Sequence, residues 1–231
     1  PRMKLAGRVA LITGSGRNIG RATALKFAFE GAHVIVNARS NEAEANAVAD
    51  EVRTLGVRAL VVLADVADRP QAQAMVKAGL AEFGRIDGCV PAAGIIHIRS
   101  IVEVKREEWQ QILSLNLTAG FFLNREVAEA AKAAGEGGSI VNLSSTSAHG
   151  ARPNNVDYGV SKLGVDHVTR TLALEYAPAK VRVNAISPGI VDTPMWRDVD
   201  MHRGAHLGLK PGELTQKMVD AIPMHRVAHI L

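Results

Sequence analysis

With 231 residues, 47% of them hydrophobic and 22% charged, the chain has the composition of one ordinary globular domain and not of a disordered segment. Its net charge of +4 and pI of about 9.4 are spread along the sequence without a run of five or six basic residues, which argues against a nucleic-acid partner. No apolar stretch reaches the length of a membrane span and no signal peptide is evident, so no membrane partner is expected either.

Pro1 and Arg2 precede Met3 and read as an added scar, leaving a single domain over residues 5–231. Val9-Ala10-Leu11-Ile12 is the first strand-like run, followed by a Gly-rich turn and a helical pattern over residues 21–30. Val34-Ile35-Val36 follows, then an Ala/Glu-rich helix over 41–55, a third strand at 59–63 and a third helix at 71–83. The fourth strand, 86–90, contains Cys89, the single cysteine. One cysteine excludes an internal disulfide and fits a reducing, cytoplasmic setting, and its apolar surroundings suggest a buried, inert thiol. A long helix starts near Glu107 and runs past Asn116 to about Ala134. A fifth strand at 139–143, a helix at 158–176 and a sixth strand at 181–186 complete the alternation.

Strands that are continuous apolar runs, alternating with amphipathic helices, predict a single-domain α/β Rossmann fold: a doubly wound parallel sheet with helices on both faces. Residues 193–213 break that rhythm, being polar and containing Gly204, Gly208, Pro211 and Gly212, and suggest a substrate lid.

Thr13-Gly14-Ser15-Gly16-Arg17-Asn18-Ile19-Gly20 joins the first strand to the first helix. Glycines there let the backbone turn sharply and let a pyrophosphate approach the helix N-terminus, where free N–H groups and the helix dipole favour anions. In this turn the sequence resembles the classical short-chain dehydrogenase/reductase family, whose pattern is Thr-Gly-x-x-x-Gly-x-Gly. Thr13, Gly14 and Gly20 match it. Asn18 replaces the middle glycine, and asparagine tolerates the positive φ required there.

After the second strand the chain reads Asn37-Ala38-Arg39-Ser40. A carboxylate at this place would bind a ribose 2′-hydroxyl and repel a 2′-phosphate, whereas a guanidinium grips a phosphate. The resemblance puts Ala38 where NAD-preferring relatives carry Asp, and makes Arg17 the second basic position of NADP-preferring ones. Together these imply NADP(H) as cofactor. Asp65-Val66 resembles the family's adenine-contacting pair, although from the residues alone Asp65 would serve as a helix N-cap. Pro91-Ala92-Ala93-Gly94 stands where the family has Asn-Asn-Ala-Gly. The resemblance keeps backbone contacts to the cofactor at Ala92 and Gly94 but removes the asparagine side-chain bonds that tie neighbouring strands.

Tyr158-Gly159-Val160-Ser161-Lys162 places a phenol and an ammonium four residues apart on one helix face. A cation beside a phenol lowers its pKa from near 10 towards the range where it exchanges protons with an alkoxide in both directions. The resemblance makes Tyr158 the acid–base group and Lys162 the residue that holds the nicotinamide ribose. It makes Ser145, with Ser144 as competitor, the group that orients the substrate carbonyl. Asn116 is the fourth member, holding a water that links Lys162 to solvent. Pro188, Val191 and Thr193 resemble the loop on the nicotinamide side, with Val191 backbone groups pairing with the carboxamide.

The implied activity is hydride transfer between NADP(H) and a small-molecule carbonyl or alcohol. Competing readings are reduction of a 3-oxoacyl-acyl-carrier-protein, for which Arg99, Lys105, Arg106 and Arg152 would supply a basic patch, a non-catalytic NADP(H) sensor or scaffold, and nucleotide-sugar chemistry. The substrate pocket is expected from Ile96, His97, residues 147–156 and the lid. His97 and His149 are candidates for substrate contact or for plain solvation. A homo-oligomer, tetramer or dimer, is implied, although the family continues beyond a segment like Ile222–Val227 with elements that help assemble a tetramer and this sequence ends at Leu231.

Overall fold

The computed structural model describes residues 3–230; the expected scar at Pro1 and Arg2, and Leu231 at the end of the expected domain, lie outside the described residues. Six strands, β1 (Val9–Thr13), β2 (His33–Ala38), β3 (Ala59–Leu63), β4 (Gly88–Pro91), β5 (Gly138–Leu143) and β6 (Val181–Ile186), form one sheet in the order β3-β2-β1-β4-β5-β6. Every pairing is parallel.

The helices are α1 (Asn18–Phe29), α2 (Glu42–Thr54), α3 (Arg69–Phe83), α4 (Arg106–Leu113), α5 (Ala119–Ala134), α6 (Val156–Tyr176), α7 (Pro194–His206) and α8 (Glu213–Ala221). Successive residues of a strand face opposite sides, and here both sides are covered. Val34 and Val36 pack with Ala24 and Ala28 of α1 and Val48 and Val52 of α2, while Ile35 packs on the other face with Met75 of α3 and with Leu123 and Ala128 of α5. That is why the central strands carry continuous apolar runs, Val9–Ile12 in β1 and Val34–Val36 in β2, rather than an alternating pattern. Fully burying each Val, Leu or Ile side chain stabilises the fold by roughly 1.5–3 kcal/mol relative to exposure. In β6, at the sheet edge, Arg182 and Asn184 are exposed and the pattern alternates.

The strand order reverses between β1 and β4, which opens a crevice at the carboxyl ends of these strands, the usual ligand position in such sheets. The β5–β6 ladder runs to Leu143 and Ile186, but the β4–β5 ladder stops at Cys89 and Ile140. Pro91, two residues on, has no N–H to donate to a neighbouring strand.

The long helix expected through Asn116 is a continuous helical path, α4 to α5, widened at Ser114–Thr118 into a π-turn that carries Asn116. Such single turns occur often at functional sites. Residues 193–213, expected as a polar lid, are largely helical. Thr193 caps α7 by accepting from the Trp196 N–H at 3.2 Å, and Pro194 fits the first turn, where its missing donor costs nothing. Asp200 then holds α8 against α7, accepting from the Gly212 N–H, the Thr215 N–H and the Thr215 hydroxyl, each at 2.6 Å. No helix of the described residues is long and apolar enough to cross a membrane.

Candidate active site

The turn from β1 into α1 is built by backbone demands. Gly14 has φ of +59° and Asn18 φ of +53°, so Asn18 adopts the left-handed conformation expected of it. Gly20 admits no side chain, since a Cβ there would stand 2.3 Å from the Gly14 carbonyl oxygen. Asn37 locks this turn to the sheet. Its Oδ1 accepts from the Gly14 N–H at 3.2 Å, its carbonyl accepts from the Ser15 N–H at 2.9 Å, and its Nδ2 donates to the Val62 and Ala64 carbonyls at 3.1 Å each. The Ser15 hydroxyl, fully buried, donates to the Ile12 carbonyl at 2.8 Å. Sequence reasoning passed over Asn37 as a site residue; the signal was an amide side chain at the carboxyl end of an otherwise apolar strand.

Arg17, the N-cap residue of α1, is exposed, as are Arg39 and Ser40 beyond β2, and neither arginine has a carboxylate partner among the described residues. Ala38 is buried and carries no polar group. Glu44, which the sequence reading overlooked, packs on the turn: a Cβ on Gly16 would lie 3.6 Å from its Oε2. Asp65 does not cap α3. Asp68 does, accepting from the Gln71 N–H at 3.1 Å, so the N-cap alternative for Asp65 falls away. Asp65 Oδ1 accepts from the Ala67 N–H at 2.9 Å, and the neighbouring Val66 is buried.

Beyond β4, the Ala93 N–H donates to the Thr13 hydroxyl at 3.1 Å, which brings Ala92 and Ala93 alongside Gly14. Asn116 clamps the next residue from both sides: its Oδ1 accepts from the Ile95 N–H and its Nδ2 donates to the Ile95 carbonyl, each at 2.9 Å. The same Nδ2 reaches the Ser161 hydroxyl at 3.3 Å. A Cβ on Gly94 would crowd Asn116 Oδ1 at 3.2 Å.

Ser145 follows β5 at the carboxyl edge of the sheet, where its hydroxyl accepts from the Ser147 N–H at 3.1 Å and lies close enough to the Tyr158 phenol of α6 to lower its pKa. Ser144 instead donates to the Lys162 carbonyl at 3.3 Å and so belongs to the support of α6. Lys162, 7% exposed, donates from Nζ to the Leu143 carbonyl at 2.7 Å and lies 5.5 Å from the centre of the Tyr158 ring.

The electrostatics differ from the sequence expectation. Burial pushes the Tyr158 phenol above its ordinary value, and the Ser145 hydrogen bond and the Arg152 charge pull it back down in part. Lys162 is not what offsets that burial. Its own ammonium is disfavoured by burial, which lowers it to about 8 against the opposing pull of Asp166. In the chain alone both buried groups lose hydration, and the ammonium is engaged by a main-chain carbonyl rather than by the phenol.

The loop after β6 brings Pro188 beside the site, where its carbonyl accepts from the Thr146 N–H at 3.1 Å. Val191 forms a parallel bridge with Ala228 through the Ile190 carbonyl and the Asp192 N–H, which turns the N–H and C=O of Val191 itself away from that partner. Thr193 is buried, capping α7 and donating to the Val191 carbonyl at 3.3 Å. His97 is half-buried with Nδ1 lacking a partner among the described residues. His149 Nε2 lies 3.2 Å from the Ser187 hydroxyl and 3.4 Å from Asp166 Oδ2. Burial drives the Cys89 thiol far above its usual value, as an inert thiol requires.

A family model described as short chain dehydrogenase matches residues 8–204. An uncharacterised oxidoreductase of Methylorubrum extorquens is 36% identical over 224 residues, covering 96% of this chain and 86% of that protein. A 3-oxoacyl-[acyl-carrier-protein] reductase of Synechocystis is 36% identical over 196 residues, covering 85% of this chain and 79% of that protein. Among solved structures, NAD+-bound xylitol dehydrogenase superimposes with a TM-score of 0.93 at 31% identity, covering 98% of this chain and 89% of that one.

Proposed function

Because the chain belongs to the short-chain dehydrogenase family, we propose that it is an NADP(H)-dependent oxidoreductase that interconverts a ketone or aldehyde with an alcohol. The observation that carries this reading is the meeting of Ser145, Tyr158 and Lys162 at the carboxyl edge of the sheet whose first turn is the Gly14–Gly20 cradle.

The residues present fit a dinucleotide. The absence of a side chain at Gly20 lets α1 start hard against the Gly14–Ser15 backbone, and with the left-handed backbone at Gly14 and Asn18 this shapes a tight turn whose N–H groups could take a pyrophosphate at the N-terminus of α1. Ser15, Arg17, Asn18 and Ile19 would line it, Asp65 and Val66 the adenine, Ala92 and Gly94 the adjoining ribose, and Pro188, Val191 and Thr193 the nicotinamide. Bound there, the reduced nicotinamide supplies the hydride. For the 2′-phosphate, Arg39, Ser40 and Arg17 offer donors, and the apolar Ala38 puts no negative charge against it.

In the reducing direction the Ser145 hydroxyl orients the substrate carbonyl and the Tyr158 hydroxyl gives its proton to the carbonyl oxygen. In the oxidising direction the phenolate takes it back. Lys162, fixed by the Leu143 carbonyl, would hold the nicotinamide ribose, and Asn116 is assigned the water that links the lysine to solvent. Burial keeps the phenol protonated at neutral pH, the form that gives a proton in reduction.

The test is a panel of ketones and aldehydes with NADPH and with NADH, followed by loss of nicotinamide absorbance. Tyr158→Phe is expected to lower kcat by about 10²–10⁴-fold, and a variant with the normal rate would sink the assignment. Acyl-carrier-protein reduction is the second reading, favoured by the Synechocystis relative. Against it, the exposed Lys105 and Arg106 lie among Glu103, Glu107 and Glu108, and Arg99 is paired with Glu108, so the patch is mixed in sign. The family membership and the intact set of four also weigh against a non-catalytic sensor. A reducing, cytoplasmic setting fits the single buried cysteine. A homo-oligomer fits the exposed Val160, Leu163 and Leu174 along α6.

A further inference from the structure

The two hydroxyls assigned to the substrate carbonyl sit on different elements. Ser145 follows the end of β5, and Tyr158 belongs to the first turn of α6. Between them lies the short turn Thr146–Ala148. The Ser147 N–H donates to the Ser145 hydroxyl at 3.1 Å, and the Ala148 N–H donates to the Ser145 carbonyl at 3.0 Å. A serine hydroxyl has one proton to give and two lone pairs that accept. With one lone pair taken by the Ser147 N–H, the proton is left for a carbonyl oxygen, and where it can point depends on where Ser147 sits.

Ser147 is in turn held from α6. Asn155, the N-cap residue of that helix, donates from Nδ2 to the Ser147 hydroxyl at 3.3 Å. An asparagine at this place ordinarily accepts from the first free N–H groups of its helix. Asn155 makes no such bond, and Asp157 Oδ1 accepts from the Tyr158 N–H at 2.8 Å instead. Asn155 is 8% exposed, and its Oδ1 is buried without a partner among the described residues. A capping residue that forgoes its cap and leaves a buried acceptor unpaired gives up local stability, and departures of that kind mark functional positions. What Asn155 does hold is Ser147.

The main chain supports the same link. The Asn155 carbonyl accepts from the Gly159 N–H at 3.0 Å, and Gly159 lies against the turn, since a Cβ there would meet the Ser147 carbonyl oxygen at 3.3 Å. Asn155 thus starts the helical turn that carries the phenol and also grips the turn that orients Ser145. A second brace runs parallel to it, from Arg152 Nη2 to the Thr146 hydroxyl at 3.0 Å.

We propose that Asn155 is a positioning residue: acting through Ser147, it sets the Ser145 hydroxyl against Tyr158 so that both meet one carbonyl oxygen. The proposal rests on the hydride-transfer reading for its kinetic consequence, and its structural consequence is measurable without turnover.

The experiment removes each end of the bond in turn. Asn155→Ala and Ser147→Ala are each expected to lower kcat about 10–100-fold on the ketone that the parent reduces fastest, the scale for a reacting group displaced by up to about 1 Å. NADPH affinity in fluorescence titration should stay at the parent value, and Ser147→Thr, which keeps the hydroxyl, should keep the rate. In a Ser145→Ala background, adding Asn155→Ala should cost little more, because the group it positions is already gone. Losses that simply add, a parent kcat in Asn155→Ala, or a parallel loss of NADPH affinity overturns the proposal. If Asn155→Ala does not fold, Ser147→Ala carries the same expectation from the other end of the bond. A crystal structure of either alanine variant gives the second arm. The backbone N–H at position 147 should have left hydrogen-bond distance of the Ser145 hydroxyl, and an unchanged contact overturns the proposal whatever the rates. A Tyr158→Phe enzyme with the parent rate would sink the hydride-transfer reading instead, and the crystal structure alone would then decide whether Asn155 sets Ser145.

Discussion

The Lys162 ammonium donates to the Leu143 carbonyl at 2.7 Å and stands 5.5 Å from the centre of the Tyr158 ring. The lysine is thus held by the end of β5, at a distance from the phenol that suits a third group between or beside them. Holding a cation in this buried position costs stability, and the cost depends on pH. Burial lowers the lysine from 10.5 to about 8. Between these values the unfolded chain binds a proton that the folded chain does not, so this group makes stability rise with pH through that window, and its penalty is complete below about 8.

Lys162→Met should therefore be more stable than the parent at pH 7 in urea unfolding, and the difference between the two proteins should shrink from pH 8 to pH 10. Comparison with the variant cancels the opposite trend from Cys89, whose raised pKa makes stability fall as the pH becomes alkaline. A gap that is constant with pH would show that the lysine is not a strained buried cation. The same variant should lose most of its activity, a trade common where function requires a destabilised group.

Asn18 and Gly20 make separate demands on the phosphate turn. At φ of +53° an alanine pays about 1 kcal/mol or more that asparagine largely avoids. Asn18→Ala is expected to lower the unfolding midpoint slightly and to weaken NADPH binding, while Asn18→Gly keeps both. Gly20→Ala is more severe, because the added methyl meets the Gly14 carbonyl oxygen at 2.3 Å, a backbone atom that cannot rotate aside. Fluorescence titration with NADPH should show binding lost in Gly20→Ala, and retention of normal affinity would mean that the turn is not the pyrophosphate site.

The choice between nicotinamides should respond to charges of both signs. Arg39→Ala is expected to reduce kcat/KM with NADPH about 10–100-fold more than with NADH, the range for losing charge-assisted bonds to a phosphate. Glu44, packed on Gly16, places a carboxylate at the same end of the site. Glu44→Gln should raise the NADPH-to-NADH ratio. If both substitutions leave that ratio unchanged, the 2′-phosphate is not read here.

What was legible in the sequence is what backbone geometry dictates. The Gly14–Gly20 turn, the continuous apolar runs of the central strands and the four-residue spacing of Tyr158 and Lys162 follow from local rules, and so does the parallel sheet. The partners of those side chains do not. Nothing in the residues near Lys162 announces the Leu143 carbonyl, since every residue has one. Asn37 was hidden inside an apolar strand although it ties three strands together. Residues 193–213 read as a break in the strand–helix rhythm because they are polar and contain Gly204, Gly208, Pro211 and Gly212, yet Gly204 lies buried within α7 next to Leu209 and Leu214. Asp65 and Asp68 are three residues apart, and only the fold decides which one caps α3.

Pro91 raises the question of what joins the layers where β4 ceases to pair with β5. The structure has a chain of buried side-chain bonds next to it: Asn124 Nδ2 of α5 donates to Asn142 Oδ1 of β5 at 2.7 Å, Asn142 Nδ2 donates to the Thr169 hydroxyl of α6 at 2.9 Å, and that hydroxyl donates to the Val165 carbonyl at 2.7 Å. All three side chains are buried, so a member left without its partner is not compensated by water. Asn124→Ala orphans the Asn142 oxygen and is expected to cost about 1–3 kcal/mol in urea unfolding with an unchanged slope. Asn124→Asp should be worse than alanine, because it sets a carboxylate against that oxygen with no cation among its described partners. The outcome that would dismiss this account is an unfolding midpoint in both variants equal to that of the parent, since the network would then not be what holds α5 and α6 to β5 beyond the early end of the β4 ladder.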